Sequence, residues 1–164
     1  MSRKMTSNAV PISLSKGKVA MVDAADAPRL WRWRWSAARR PNGRWYAVRS
    51  YRMGGKSVQV MMHREILGPG CDDIDHRDRD GLNNTRANLR PATRSLNNGN
   101  AAPQVGRSSR YKGVRWYKQT RRWTARVGQL HVGYFHDEVD AALAYDMAAI
   151  ETFGAFARPN FLRP

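Results

Sequence analysis

Cysteine is all but missing: there is one, Cys71, in 164 residues. A single thiol forms no internal disulfide and supplies too few thiolates for a Cys-rich zinc site. Disulfide scaffolds are therefore excluded, a reducing compartment is expected, and the fold must stand on packing. Long apolar runs are missing too. No stretch approaches the roughly 18 to 20 apolar residues of a spanning helix, and the opening MSRKMTSNAVPISLSKGK has basic residues with no apolar run behind them, so neither a membrane nor a secreted protein is expected. Acids are scarce, 13 Asp plus Glu against 29 Lys plus Arg, for a net charge of +16. The commonest cellular polyanion that rewards such a field is nucleic acid. Hydrophobic residues make up 41% of the chain, enough for the compact cores of one ordinary domain or a few small ones.

The charge is segregated. Residues 27–64 hold ten Arg or Lys and no acid, residues 110–126 hold seven and no acid, and the five acids of the last third fall between Asp137 and Glu151. Basic residues alternate with aromatics in strand-like stretches rather than lining one helical face, which argues against a membrane-surface helix and for basic sheets presented to phosphate.

Turn signals divide the chain into four parts. Residues 1–57 read as a short basic β segment, with hairpins turning at Lys16 and Gly17 and at Gly54 and Gly55. Within it Trp31, Trp33 and Trp35 alternate with Arg32 and Arg34. A strand there would put three indoles on one face, and they are expected to be core. Residues 58–100 are dense in Asp, His and Asn. They read as a strand ending near His76, a loop through Gly81, a short strand near Leu89 to Ala92, and a helix capped by Thr93. Residues 101–110 look like a linker. Residues 111–164 read as three strands followed by an Ala-rich helix running from an Asp137 cap to about Phe153.

Hydrolysing a phosphodiester requires a nucleophilic water, a base, and positive charge on the phosphate oxygens. His76 titrates near neutrality and can take the water's proton, Asp75 offers a hard oxygen to a divalent ion, and Asn97 a second, neutral one. Two protein ligands leave positions for water and substrate phosphate, which suits Mg²⁺, with Mn²⁺ as the alternative. Successive strand residues face opposite ways, so Asp75 and His76 can serve one phosphate only at a strand end or bend. A calcium loop at Asp78 and Asp80 fails for want of a Glu at its twelfth position, where Ala87 stands. His63, Cys71 and His76 lack a fourth ligand, so no zinc is expected. His63 is expected to pack beneath the site.

The stretch IDHRDRDGLNNTRANLRPATRSLNNGN, preceded by MHREILG, resembles the His-Asn-His (HNH) motif of homing and phage-borne endonucleases with the ββα-metal fold. The resemblance implies His76 as general base, Asp75 and Asn97 as metal ligands, and Asn88 as the residue that ties the loop between the two strands and orients the base. The last motif position, often His, is Asn97 here. Where the family commonly shows Leu-Asp-Asn this chain has Leu82, Asn83 and Asn84.

The last segment, with YKGVRWYK, RWTARV, HVGYF and AALAYDMAAIETFGAFARPNF, is similar to the APETALA2/ethylene-response-factor DNA-binding domain. That family lays a three-stranded sheet in the major groove, which implicates Lys112, Arg115, Tyr117, Arg122, Trp123 and Arg126. Tyr117, Arg126 and His131 depart from its common residues, so base preference does not transfer. Alternation in RRWTARV independently puts Arg122, Thr124 and Arg126 on one face.

Together these readings give an α+β protein with a short N-terminal β segment, a central ββα-metal unit, and a C-terminal three-stranded antiparallel sheet on one helix. The expected function is a metal-dependent DNA endonuclease of mobile-element type, acting on double-stranded DNA in the cytoplasm of a bacterium or phage-infected host, with no protein partner implied. The rivals are an inert DNA-binding regulator and an RNA-binding or RNA-processing factor.

Overall fold

The computed structural model describes residues 8–41, 43–103 and 106–161. Residues 104 and 105 of the expected linker, and the first seven and last three residues of the chain, lie outside that set. The protein is α+β, and the described residues form four small antiparallel sheets and four α-helices. It divides into two compact units, Met1–Ala92 and Thr93–Pro164. Among the described residues no helix is long and apolar enough to cross a membrane.

In the first unit, β1 (Ala9–Ser13) and β2 (Val19–Asp23) form a hairpin. It turns where expected, with Lys16 and Gly17 at φ of 60° and 63°. Helix α1 (Ala27–Leu30) follows. Strands β3 (Ser36–Arg39), β4 (Trp45–Met53) and β5 (Lys56–Met61) make a sheet with β4 central. Gly54 and Gly55 both take positive φ between β4 and β5, the requirement of a tight two-residue hairpin turn. Helix α2 (Met62–Leu67) leads to β6 (Asp73–His76), which pairs with β7 (Leu89–Ala92). One core runs from Ile12 and Leu30 through Trp35 and Met62 to Ile74 and Leu89, so the stretches on either side of Ser57 share it.

The three tryptophans correct the sequence reading. Residues 31–35 form no strand: the Trp31 N–H bonds the Ala27 carbonyl and the Trp33 N–H the Leu30 carbonyl, which coils the chain after α1. Alternation therefore does not hold. Trp35 is buried, its Nε1 donating to the Leu30 carbonyl at 2.9 Å. Trp31 and Trp33 are 61% and 48% exposed.

In the second unit, α3 (Arg94–Gly99) starts at Thr93, whose hydroxyl accepts the Leu96 N–H. Strands β8 (Val114–Tyr117), β9 (Arg122–Val127) and β10 (Leu130–Phe135) form a sheet with β9 central. Helix α4 (Glu138–Phe153) covers it, capped by the Asp137 carboxylate, which accepts from the N–H groups of Val139 and Asp140. The Ala141, Ala142 and Ala149 faces let α4 lie close on Val114, Ala125 and Val127. Buried Asp146 accepts from Asn160 and Phe161 backbone N–H groups and so ties the chain after α4 to that helix.

Candidate active site and sheet face

His76 ends β6, paired with Leu89. The chain turns away at once: Arg79, at φ 67°, donates its N–H to the His76 carbonyl. His76 is 5% exposed. His63, in the first turn of α2, meets it edge-on at 5.1 Å between centroids, and Tyr46 of β4 meets His76 at 5.9 Å and His63 at 6.1 Å. Nε2 of His76 lies 3.4 Å from Oδ1 of Asn84. Asn84 is fully buried and its amide N–H groups donate to the Gly81 and Leu82 carbonyls, so its oxygen faces the ring as an acceptor. That contact is a hydrogen bond when Nε2 carries the proton. Burial holds the His76 pKa below its ordinary value, against the opposing pull of the Asn84 bond and the carboxylates of Asp78, Asp75 and Asp80. Burial, then the neighbouring His76, drives His63 down to about 3. Both rings are neutral at pH 7.

The loop between β6 and β7 is closed by side chains. Asn88 donates to Asp78 Oδ1 at 2.9 Å and to the Asn83 carbonyl at 2.7 Å, and its own oxygen accepts the Asp78 N–H at 3.0 Å. Asn83 donates to the other Asp78 oxygen at 2.6 Å. The N-terminal hairpin clamps this loop, with the Met21 N–H bonding the Leu82 carbonyl and the Asn84 N–H the Met21 carbonyl. Arg86 adds a two-pronged ion pair to buried Asp26, at 2.8 Å for each contact. At Gly81 a Cβ would strike the Trp45 carbonyl oxygen and the Tyr46 ring, so the loop passes β4 where only glycine fits. Asn84, Asp26 and Arg86 were missed by sequence reasoning. Nothing in the row Asn83–Asn84 says which amide is buried, and only the pairing with β2 decides it.

Asp75 is 4% exposed and faces Arg90 directly across the strand pair. Arg90 Nε and Nη2 both donate to Asp75 Oδ2, at 2.7 and 2.6 Å. A carboxylate can accept a guanidinium on one oxygen and a hard cation on the other. Asn97 lies half-buried on α3, in the second unit. Among the described residues no three His, Cys, Asp or Glu side chains form a group able to hold a metal by themselves. A carboxylate oxygen such as those of Asp75 is a hard donor of the kind Mg²⁺ takes, an ion that keeps several of its waters.

In the second unit, strand register puts Arg115 opposite Thr124, Tyr117 opposite Arg122, and Arg126 opposite His131. Arg115, Arg122 and Arg126 are exposed on the outer face. Tyr117 is half-buried there, 5.8 Å from Tyr134. Trp123 lies on the other face, edge-on to Trp116 at 5.1 Å and packed against the core under α4. The Lys112 ammonium donates to the Asn98 and Gly99 carbonyls at the end of α3. A cavity of about 550 Å³ in this unit is lined by Arg107, Arg115 and Arg126 among others.

The two units thus define a class: a histidine-centred strand, loop and strand unit joined to an arginine-faced sheet on one helix. No protein-family model matches the chain. It is 32% identical over 154 residues to an uncharacterized HNH endonuclease of Acanthamoeba polyphaga mimivirus, covering 88% of this chain and 76% of the relative. It is 44% identical over 59 residues to an ethylene-responsive transcription factor of Arabidopsis thaliana, 32% of this chain and 14% of that protein. An APETALA2-like protein of Oryza sativa subsp. indica is 47% identical over 60 residues, 33% of this chain and again only 14% of the relative. The chain belongs to the HNH endonuclease family and carries a region similar to APETALA2-type transcription factors.

Proposed function

We propose that the protein is a metal-dependent endonuclease that hydrolyses phosphodiester bonds of double-stranded DNA and is held on its target by the sheet of the second unit. The observation that carries this reading is His76, a buried neutral imidazole at a strand end, its Nε2 fixed by Asn84. Its imidazole takes the proton of the attacking water as the water oxygen bonds phosphorus and the bond to the leaving oxygen breaks. His63 and Tyr46 hold the ring edge-on and exclude bulk water from it. Asp75 and, by the resemblance of the motif, Asn97 are each suited to offer an oxygen to a divalent ion, Mg²⁺ or Mn²⁺, which would supply positive charge for the phosphate oxygens. On the sheet, Arg115, Arg122 and Arg126 are suited to phosphate and base-edge contacts, and Tyr117 to contact beside them. Trp123 supports that sheet from beneath, and Lys112 holds the end of α3.

One observation favours a second reading, an inert DNA-binding regulator: the Arg90 guanidinium already occupies an oxygen of Asp75. Cleavage of supercoiled and linear duplex DNA and of structured RNA, with and without Mg²⁺, separates the readings. Mg²⁺-dependent cutting of duplex DNA is expected. Tight DNA binding with no cutting at any metal concentration would favour the regulator.

A further inference from the structure

Among the described residues of the first unit three large aromatic side chains are left in solvent, Trp31 at 61% exposure, Trp33 at 48% and Tyr51 at 41%, and the two tryptophans are the larger and the more exposed. Backbone hydrogen bonds to Ala27 and Leu30 fix both positions, and the neighbouring Trp35 is anchored in the core, so this exposure does not belong to a slack loop. Trp33 is also braced. The Arg49 guanidinium lies 4.3 Å over its ring and is itself held by Glu65 at 3.0 Å and by the Tyr51 ring at 5.5 Å. With one face on a cation and nearly half the residue exposed, the indole presents its remaining surface outward. Beside it runs a groove of about 610 Å³ lined by Ile12, Leu14, Trp31, Trp33, Arg34 and Trp35. That volume is in the range of small-molecule sites, roughly 300 to 1,000 Å³, and suits a nucleotide.

The surroundings choose the occupant. Arg32 and Arg34 are exposed on either side of Trp33, and the whole stretch 27–64 contains ten basic residues and no acid. Flat aromatic faces set among cations match a base stacked on the ring with its phosphates on the arginines. Within a duplex both faces of a base are covered, so an indole can stack only on a base that is unpaired or at an end. Trp35 and Leu30 share one core with Ile74 and Leu89, which flank the catalytic strand end, so the groove is built into the same unit as His76.

We infer that Trp31 and Trp33, with Arg32 and Arg34, form a stacking platform for unpaired bases of the DNA substrate, frayed or splayed beside the cut. The inference rests on the endonuclease reading for its substrate, but its test does not use cleavage. Binding of the full chain to a labelled single-stranded DNA oligonucleotide, to the same sequence as duplex, and as single-stranded RNA is measured by fluorescence anisotropy without metal. The proteins are wild type, W31A, W33A, the double variant and W33F, each checked by thermal melting.

Loss of one stacking contact should weaken single-strand binding by about 5- to 100-fold, with W33F retaining most of the affinity. Duplex affinity should change less than about two-fold, and the salt slope for single strands should stay constant because no phosphate contact is removed. Unchanged single-strand affinity in the double variant, or an equal loss on duplex, would overturn the platform. Selective loss on RNA alone would overturn the assignment to DNA. If the tryptophan dependence holds while the protein cuts nothing, the endonuclease reading fails and the platform stands.

Discussion

At the scale of single residues, His76 and its buried neighbours set the expectations. His76→Ala should lower cleavage by roughly 10² to 10⁴ while DNA affinity stays within a few-fold, because a general base acts in the chemical step. Parallel gel-shift and cleavage assays read both quantities, and an equally active variant would remove His76 from its role. Asp75→Ala and Asn97→Ala should lose activity that added Mg²⁺ or Mn²⁺ partly restores, since water and phosphate oxygens still hold an ion when one ligand goes. Asn88→Ala should behave differently. It loses two donated bonds and one accepted bond that close the loop, so its defect should resist metal and come with a lower melting temperature. Identical metal rescue of all three would show the roles to be wrong. His63 gives a pH signature: its folded pKa of about 3 lies below its ordinary value of 6.5. Between those values the unfolded chain binds a proton that the folded chain does not, so this contribution is intact above 6.5 and lost as pH falls toward 3, by at most about 1.4 kcal/mol per pH unit. Urea melts from pH 7 to 4 should show a slope of that sign, to which His76, lowered as well, also contributes, and His63→Asn should reduce it.

At the scale of elements, local signals were legible and tertiary ones were not. The turns at Lys16–Gly17 and Gly54–Gly55 and the caps Thr93 and Asp137 could be read directly, because each depends on a residue and its immediate neighbours. So could the β6, loop, β7 order around His76. Helix α2 was hidden, since MHREIL is too short to show a period and is stabilised by burying Met62, His63 and Ile66. The tryptophan alternation misled because alternation assigns faces only where a strand forms, and backbone bonds after α1 prevent one. The clamp of β2 on the β6–β7 loop joins residues some sixty positions apart and leaves no local trace. Gly81→Ala tests it. The added Cβ meets the Trp45 carbonyl and Tyr46, so the loop must shift, with a cost of about 1 to 3 kcal/mol. Thermal melting together with cleavage should show both falling, whereas a variant of wild-type stability would mean that the loop does not pass β4 so closely.

At the scale of the molecule, charge and packing distribute the work. The first unit has eighteen basic residues against eight acidic, and the second eleven against five, so both can meet a polyanion. Helix α3 packs within the second unit: the Arg158 N–H bonds the Gly99 carbonyl, and Gly99 lies so close to Phe153 that a Cβ would clash. A fragment of residues 93–164 should therefore fold alone, melt higher than one of residues 107–164, and bind duplex DNA without cutting it. Arg115, Arg122 and Arg126 variants of that fragment should separate into those that relax sequence preference and those that lower the salt slope by about one. A folded fragment with no DNA affinity at low salt would move recognition to the first unit.

The central claim, that His76 of this chain is the base of a metal-dependent DNA endonuclease, meets its most direct test in single-turnover cleavage of duplex DNA by wild type and His76→Ala at saturating Mg²⁺. Wild type should cut in Mg²⁺ and not in chelator, and His76→Ala should bind equally and cut at least about a hundred-fold more slowly. Equal cleavage by the two proteins, or none by wild type in either Mg²⁺ or Mn²⁺, would contradict it.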